Sequence, residues 1–266
     1  YTTLFRSVRL LKPTEGHIYM GGTDIAGLKG ADLKKMRRKV QIIFQDPSAC
    51  LNPRRTVRQI LMEPFEIHGM KGRMDVEARV MKLLNLVGLD LYCLGRYPHE
   101  LSGGQKQRIG IARALALEPD IIICDEAVSA LDVSVQAQVL NLLQDLKEKL
   151  GLTYFFISHN LNVVYQVSDR VGVMYLGNMV EIADYDKLYE KRYHPYTEAL
   201  LSAIPQVDQN VKTERIHLEG EVPSPSAPPS GCRFHTRCPK ACDRCRREVP
   251  ELKEVAEGHF VACHLY

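Results

Sequence analysis

The sequence predicts an α/β fold with a parallel sheet, and three observations lead to that prediction. The run Ile121-Ile122-Ile123-Cys124 is apolar throughout, which suits a strand of a parallel sheet that is covered on both faces. Before it, Ser102-Gly103-Gly104-Gln105 has the capping-box spacing of a helix start. After it, we predict a second helix that ends at Gly151, because six apolar residues share one helical face. These residues are Val135, Val139, Leu142, Leu143, Leu146 and Leu150.

The length and composition are those of an ordinary globular protein. The chain has 266 residues, of which 45% are hydrophobic and 25% are charged, so it can form one large domain or one domain with an extension. Its formal net charge of +3 is too small to favour nucleic acid or a membrane surface as a partner. No apolar run approaches the ~18 residues of a membrane span, and no signal peptide is visible. We therefore expect a cytoplasmic chain that reaches a membrane only through a partner.

The first part of the chain predicts a hairpin, a strand and then mostly helices. Gly21-Gly22 follows a Pro-Thr-Glu-Gly turn and marks a short β-hairpin. An apolar strand is predicted from Val40 to Phe44. Residues 48–100 read as mostly helical, and the helix from Val76 to Val87 is expected to stop at Gly88.

Polar residues follow three of the predicted strands. Asp125 and Glu126 come directly after the buried run, Gln45 follows the strand that ends at Phe44, and His159 follows an apolar strand from Thr153 to Ser158. Open α/β sheets bind their ligands at the carboxyl edge, where such residues lie. An acid pair after a buried strand is costly unless it meets a metal, a proton or a donor.

Three motifs resemble those of the ATP-binding subunits of ABC transporters. LSGGQKQR resembles the family signature, IIICDE the Walker B strand with its catalytic glutamate, and SALD, from Ser129 to Asp132, the D-loop. Alone, SGGQ could be a structural turn with a cap, and an apolar strand that ends in Asp-Glu occurs in many α/β proteins. Their order within one short stretch favours the family. The resemblance covers residues 8–266 and implies an α/β, ABC-type P-loop NTPase domain, with a RecA-like core, a helical subdomain and a small C-terminal Cys-rich extension.

The resemblance also implies roles for individual residues. Glu126 would be the general base toward the attacking water, while Gln45 and His159 would position the water and the γ-phosphate. Asp125 would hold Mg²⁺, with Gln45 as a further ligand. Each ATP would lie between the P-loop of one subunit and the signature helix of another. The nucleotide-binding residues at that interface would be Ser102, Gly103, Gly104, Gln105 and Asp132.

Three of these residues also have structural interpretations. Gln45 could be a plain polar residue between a strand and a loop, His159 a structural histidine, and Asp132 the cap of the following helix. The amide of Gln45 offers both a carbonyl and an NH₂ group, so it can reach Mg²⁺ and water. An imidazole at position 159 could hold the γ-phosphate in the transition state.

The sequence departs from the family pattern at its start. The motif G-x-x-x-x-G-K-[ST] does not occur, so the P-loop, its lysine and the aromatic residue that stacks on adenine should lie just upstream of Val8. We interpret the chain as a fragment in which residues 1–7, YTTLFRS, are foreign or mis-joined. By itself the fragment should bind ATP poorly and be inactive.

The last third of the chain carries a hairpin, a linker and a second motif of the family. Two strands are predicted between Arg170 and Ala183, around Gly177-Asn178. His194-Pro195-Tyr196 resembles the opening of the C-terminal extension of oligopeptide and dipeptide importers. The segment 221–231, EVPSPSAPPSG, predicts a stiff extended linker.

Five of the eight cysteines lie in residues 232–266, and such a cluster in a cytosolic chain suggests a metal centre more than disulfides. Cys232, Cys238, Cys245 and Cys263 match the four cysteines that some members of this branch carry. Four thiolates can hold an iron–sulfur cluster or zinc, and the wide spacings favour a [4Fe–4S] cluster. Cys242 is either a spare thiol or a competitor of Cys238 or Cys245. A set of reduced free thiols is the alternative.

These observations divide the chain into five segments: residues 1–45, the remainder of the N-terminal core with the hairpin; 46–118, the helical subdomain and signature helix; 119–190, the catalytic core; 191–231, the extension and linker; and 232–266, the Cys-rich metal-binding segment.

The implied function is that of the ATP-hydrolysing subunit of an ABC importer for di- and oligopeptides. Its implied partners are a second ATP-binding subunit, identical or homologous, two transmembrane permease subunits and, indirectly, an extracytoplasmic solute-binding protein, without nucleic acid. It would lie peripherally on the cytoplasmic face of the cell membrane. Two alternatives are a soluble ABC ATPase that acts on ribosomes or DNA, and a non-catalytic metal or redox module built on a dead cassette.

Overall fold

The computed structural model describes residues 8–70, 75–204 and 215–266. Residues 1–7, for which the sequence predicts a foreign or mis-joined origin, lie outside the described residues. The chain forms two compact units, Tyr1–His159 and Asn160–Tyr266. The finer division into five segments stays a prediction.

The first unit contains a small antiparallel hairpin and a three-stranded parallel sheet. The strands are β1 (Tyr19–Met20), β2 (Thr23–Asp24), β3 (Val40–Ile43), β4 (Ile121–Asp125) and β5 (Thr153–Ile157). The first two form the hairpin predicted at Gly21-Gly22. The other three form the sheet in the order β3-β4-β5, and all pair in parallel.

The described part of the first unit also contains six α-helices. They are α1 (Gly30–Lys39), α2 (Pro47–Cys50), α3 (Val57–Ile67), α4 (Val76–Leu86), α5 (Gly103–Leu115) and α6 (Val133–Leu150). Two short 3₁₀ turns, Leu91–Gly95 and Pro98–Glu100, lie between α4 and α5. The predicted helices at 76–87, after Ser102 and before Gly151 are therefore confirmed to within a residue or two.

Strand β4 is central because its sequence is apolar on both faces. Ile122, Ile123 and Cys124 are all buried. Cys124 pairs with Ile43 on one side and with Phe156 on the other, so the three strands end at the same edge of the sheet. Because the strands end side by side, the residues that follow them can come into contact at this edge.

Helix α5 starts as its sequence predicts. The Ser102 hydroxyl accepts a hydrogen bond from the Gln105 backbone N–H at 3.3 Å, and the Gln105 side chain accepts one from the Ser102 N–H at 3.0 Å. This reciprocal capping box satisfies two of the free donors at the helix start. Along its length α5 packs against α2, α3, α4 and α6.

Gly104 is needed where α5 meets α6. A Cβ at this position would lie 2.5 Å from Cγ1 of Val135, a distance that real side chains do not reach. The resemblance to ABC transporter subunits places this glycine among the nucleotide-binding residues. The structure adds a packing reason, because a methyl group of α6 already fills the space.

Helix α6 buries almost the face that its sequence predicts. Val139, Leu143 and Leu146 are buried as expected. Leu140 is buried as well, whereas Leu150 is exposed, which corrects the predicted face at its end. The helix ends at Gly151, whose φ of 66° is left-handed.

The second unit is built on a four-stranded antiparallel sheet. Its strands are β6 (Arg170–Tyr175), β7 (Asn178–Asp184), β8 (Lys253–Ala256) and β9 (His259–Val261), in the order β6-β7-β9-β8. The predicted hairpin is confirmed, with Leu176-Gly177 as its turn. Its helices are α7 (Leu161–Val167), α8 (Tyr185–Glu190), α9 (Pro195–Ser202) and α10 (Asp243–Arg247). The Cys-rich segment thus contributes two strands, which the sequence did not predict.

Among the described residues, no helix combines the length and the apolar character that crossing a bilayer requires.

We predict that Gly104→Ala lowers the free energy of unfolding by about 1–3 kcal/mol, because Val135 is β-branched and cannot turn away from the added methyl group. Gly110→Ala is the matched control in the same helix. A Cβ there meets nothing within 4 Å, so this variant should gain up to about 1 kcal/mol from helix propensity. Urea unfolding measures both.

The double variant Gly104→Ala/Val135→Ala should lose less than the sum of the two single losses, because the clash and its cause are removed together. Additive losses would contradict the packing explanation.

Candidate active site

Three polar side chains meet at the carboxyl edge of the parallel sheet. Nε2 of Gln45 donates a hydrogen bond to Oε2 of Glu126 at 2.6 Å. Nδ1 of His159 lies 3.1 Å from the other carboxylate oxygen, Oε1. Gln45 and His159 each follow the last residue of an outer strand by two positions, and Glu126 follows the central strand directly. The structure therefore brings together the three residues that the sequence assigns to catalysis.

Glu126 is held in place by its backbone. Its φ of 47° lies in the left-handed region, which costs a non-glycine residue about 1–2 kcal/mol. Its N–H donates to the Ile157 carbonyl at 2.9 Å, and its carbonyl accepts from both the N–H and the hydroxyl of Ser129, at 3.0 and 2.9 Å. A strained residue that the surrounding bonds determine in this way is typical of functional sites.

Asp125 is the buried member of the acid pair. Burial raises the pKa of its carboxyl group above the ordinary value, and the charge of Glu126 raises it further. An anion in such surroundings is costly, and a bound cation would offset the cost. The residue therefore fits the role of a Mg²⁺ ligand that the sequence suggests.

Three of the predicted nucleotide-binding residues in the signature and the D-loop take part in helix caps. Ser102 and Gln105 cap α5, as given above, and Oδ1 of Asp132 accepts a hydrogen bond from the Val135 N–H at 2.9 Å at the start of α6. The capping interpretation of Asp132 is thus confirmed. A role of these residues toward a second subunit stays a prediction.

Gln107 is a residue that the sequence reasoning missed. Its side chain is 1% exposed, and its Nε2 donates to the Ala127 carbonyl at 2.6 Å. The signature helix is therefore bonded to the turn that carries Glu126. The signal was present, because Gln107 shares the buried helix face with Ile111 and Ala114, where a polar residue needs a partner.

In the second unit, a buried carboxylate is hydrogen-bonded to the first residue of the His-Pro-Tyr motif and to the residue before it. Glu181 in β7 is fully buried, and it accepts hydrogen bonds from the N–H groups of Tyr193 and His194 at 2.8 and 3.0 Å. Nε2 of His259 in β9 lies 2.7 Å from the same carboxylate. A charged residue inside the apolar run of β7 was the sequence signal for this cluster, and it too was missed.

His194 and Tyr196 of the motif make different structural contacts. Nδ1 of His194 accepts a hydrogen bond from the Tyr196 N–H at 3.1 Å and so caps α9. The Tyr196 ring packs against Tyr175 and Phe234 at centroid distances of 4.8 and 5.3 Å. Phe234 is buried, and in sequence it lies between the first two cysteines of the tail. The motif therefore supports the Cys-rich segment through this ring.

The four predicted ligand cysteines lie in one neighbourhood. Burial raises the pKa of Cys232 and brings that of Cys238 to about 11, and the other cysteines of the set add to both shifts. The Cys232 N–H donates to the Cys245 carbonyl at 2.8 Å. The preceding Gly231 has a φ of 63° and no room for a Cβ, which would lie 2.4 Å from that carbonyl. Glycine is what allows this approach.

Cys242 is more exposed than these four cysteines, although it lies close to one of them. It is exposed, and its Sγ lies 3.5 Å from Sγ of the buried Cys245. The backbone N–H of Cys245 lowers the pKa of the Cys242 thiol. Within the described ranges, no three Cys, His, Asp or Glu side chains are arranged as metal ligands. The four thiols are therefore suitable metal ligands and lie in one region, but their sulfur atoms do not surround a common point.

Comparison with known families yields two matches. The model described as ABC transporter matches residues 2–129, which includes most of the segment interpreted as foreign. The model described as the C-terminal region of oligopeptide/dipeptide transporters matches residues 180–245.

Individual relatives agree with these matches. The oligopeptide transport ATP-binding protein AppF of Bacillus subtilis is 56% identical over 262 residues, which are 97% of this chain and 80% of that protein. A putative peptide import ATP-binding protein of Brucella ovis is 55% identical over 98% of this chain and 83% of its own length.

Solved structures are similar over the cassette. The ATP-binding cassette MJ0796, a dimer bound to ADP and Pi, has a TM-score of 0.56 and 33% identity, covering 64% of this chain and 74% of its own. CbiO1 from Clostridium perfringens, part of the cbiONQ complex, has a TM-score of 0.62 and 26% identity over 72% of this chain and 74% of its own.

We predict that acid destabilises the second unit through His194. Burial lowers the pKa of this imidazole to about 4, although the negative charge of Glu181 acts to raise it. An unfolded histidine titrates near about 6.5, so below that pH the unfolded chain binds a proton that the folded chain does not. Stability is therefore full above about pH 6.5 and falls by about 3 kcal/mol as the pH approaches 4.

His194→Asn keeps an oxygen that can cap α9 and removes the titrating group. The free energy of unfolding of this variant, from urea titrations at about pH 7.5 and 5, should fall less on acidification than that of the wild type. An equal fall in both proteins would assign the pH dependence to other groups.

Proposed function

This chain belongs to the family of ABC transporter ATP-binding proteins, and we propose that it is the ATP-hydrolysing subunit of an importer for di- and oligopeptides. The observation that carries the proposal is the contact of Gln45 and His159 with the two oxygens of Glu126. The names of the relatives, peptide import and oligopeptide transport ATP-binding proteins, support the choice of substrate. Its location would be the cytoplasmic face of the membrane, through two permease subunits.

Glu126 acts as the general base in this proposal. Its carboxylate takes the proton of the water that attacks the γ-phosphate of ATP. The amide of Gln45 fixes the rotamer of the carboxylate and offers its carbonyl to the water. His159 is exposed at the same edge, where it can donate to the oxygens of the γ-phosphate as charge develops on them.

The Mg²⁺ ion would be held by Asp125, with Gln45 as a second ligand. When bound, the ion neutralises phosphate charge and orients the phosphates. The raised pKa of Asp125 supports this assignment, because burial disfavours its anionic form and a bound cation would offset that cost.

A second ATP-binding subunit completes the site. The capped start of α5 presents backbone N–H groups of Gly103 and Gly104, which suit an anion such as the γ-phosphate. The dimeric MJ0796 cassette supports this arrangement by analogy. Because each ATP would touch both subunits, hydrolysis would be linked to their closure, and closure would drive the permease.

The four cysteines Cys232, Cys238, Cys245 and Cys263 would hold a [4Fe–4S] cluster, with Zn²⁺ as the alternative. Thiolates are the donors that both centres prefer, and the four thiols lie within one another's electrostatic influence. A cluster bound there would cross-link the tail, because its ligands come from well-separated positions of the segment. It takes no part in the hydrolysis proposed here.

We predict that Glu126→Gln, in the full-length protein with its permease subunits, binds ATP and dimerises but hydrolyses about 10²–10⁴-fold more slowly, because the general base is lost. Glu148→Gln, an exposed acid of α6, is the matched control and should hydrolyse normally. Phosphate release measures turnover, and ATP-dependent gel filtration measures dimerisation. Normal turnover in Glu126→Gln would exclude this role.

Purification from native membranes tests the importer. The full-length protein should co-purify with two permease subunits, and its hydrolysis in vesicles should rise with a peptide-loaded solute-binding protein. Association with ribosomes or DNA instead would favour a soluble ABC ATPase.

We predict that the protein purified without oxygen contains iron and acid-labile sulfide, and that Cys263→Ser loses most of both. Cys50→Ser, in the first unit, is the control and should retain them. Zinc in place of iron would select the alternative centre. Neither metal, with all tail thiols free to alkylation, would contradict a metal site.

A further inference from the structure

Cys242 and Cys245 occupy one turn of backbone in the tail. Cys242 precedes the short helix α10, Cys245 lies within it, and the Cys245 N–H donates to the Cys242 carbonyl at 3.0 Å. The two sulfur atoms are 3.5 Å apart. A disulfide needs about 2.05 Å, so closure requires an approach of about 1.5 Å.

The two thiols differ in access. Cys242 is exposed, whereas Cys245 is buried. An exposed thiol followed by a buried one in a C-x-x-C spacing, with two residues between them, is the arrangement of dithiols that exchange disulfides. The four-cysteine metal set leaves Cys242 without a role.

We propose that Cys242 and Cys245 form a redox-active dithiol, which closes to an intramolecular disulfide by exchange with a low-molecular-weight disulfide such as oxidised glutathione. The inference needs neither ATP hydrolysis nor peptide transport. Where the proposed metal centre exists, closure would withdraw Cys245 from its ligands.

The exchange takes two steps. The Cys242 thiolate attacks one sulfur of glutathione disulfide, so a mixed disulfide forms at Cys242 and one glutathione leaves as the thiolate. The Cys245 thiolate then attacks Sγ of Cys242, and the second glutathione leaves. The protein loses two thiol protons and two electrons, and one glutathione disulfide becomes two molecules of glutathione.

The test uses the full chain in a metal chelator, with excess glutathione disulfide, followed by alkylation and digestion with trypsin without reductant. Trypsin cuts after Arg244, between the two cysteines, so their disulfide joins two peptides that separate on reduction. We expect the loss of these two free thiols together. A disulfide between Cys242 and any other cysteine, or full alkylation of both, would overturn the proposal.

Two variants separate the steps. Cys245→Ser should accumulate glutathione on Cys242, because the second attack is lost. Cys242→Ser should leave Cys245 unmodified, because that thiol is buried. Cys50→Ser is the control and should behave as the wild type. Equal glutathione labelling of Cys245 with and without Cys242 would contradict the order of attack, and the wild-type mapping stands even if a variant does not fold.

Discussion

The parallel pairing of β3, β4 and β5 is the constraint on which the candidate active site depends. Gln45, Glu126 and His159 come from distant parts of the sequence, and they meet because the three strands end level. Side chains alternate between the two faces of a strand, so a slip of one residue in either pairing would turn every side chain of the slipped strand to the other face. The catalytic geometry therefore depends on the register of these two pairings.

The signature helix connects this edge to the surface of the same unit. At its start, α5 is capped by Ser102, and at its first turn Gly104 packs closely against α6. One turn later, Gln107 bonds the carbonyl next to Glu126. A displacement of the helix would break this bond or carry the turn with it. The start of α5, which suits nucleotide binding, and the Glu126 carboxylate, which suits hydrolysis, are thus connected by direct contacts.

The sequence predicted the parts of the molecule that depend on local chemistry. The caps at Ser102 and Asp132 and the hairpin at Gly177 follow from residues close in sequence, and so were found. The contact of Gln107 with Ala127 and the joining of β9 to β7 were not found, because each depends on a pairing between distant segments. Periodicity gives the buried face of a helix, but it does not identify what lies against that face.

The buried Glu181 shows how a short motif can organise a domain. A carboxylate in a dry interior is costly, and it is tolerated only where donors surround it. Here the donors are two backbone N–H groups of the His-Pro-Tyr segment and the imidazole of His259 in β9. Removing any one would leave charge uncompensated, so the extension and the last strand are stabilised by the same carboxylate. Since Cys263 follows that strand closely, the charge in β7 also decides where the last cysteine of the tail lies.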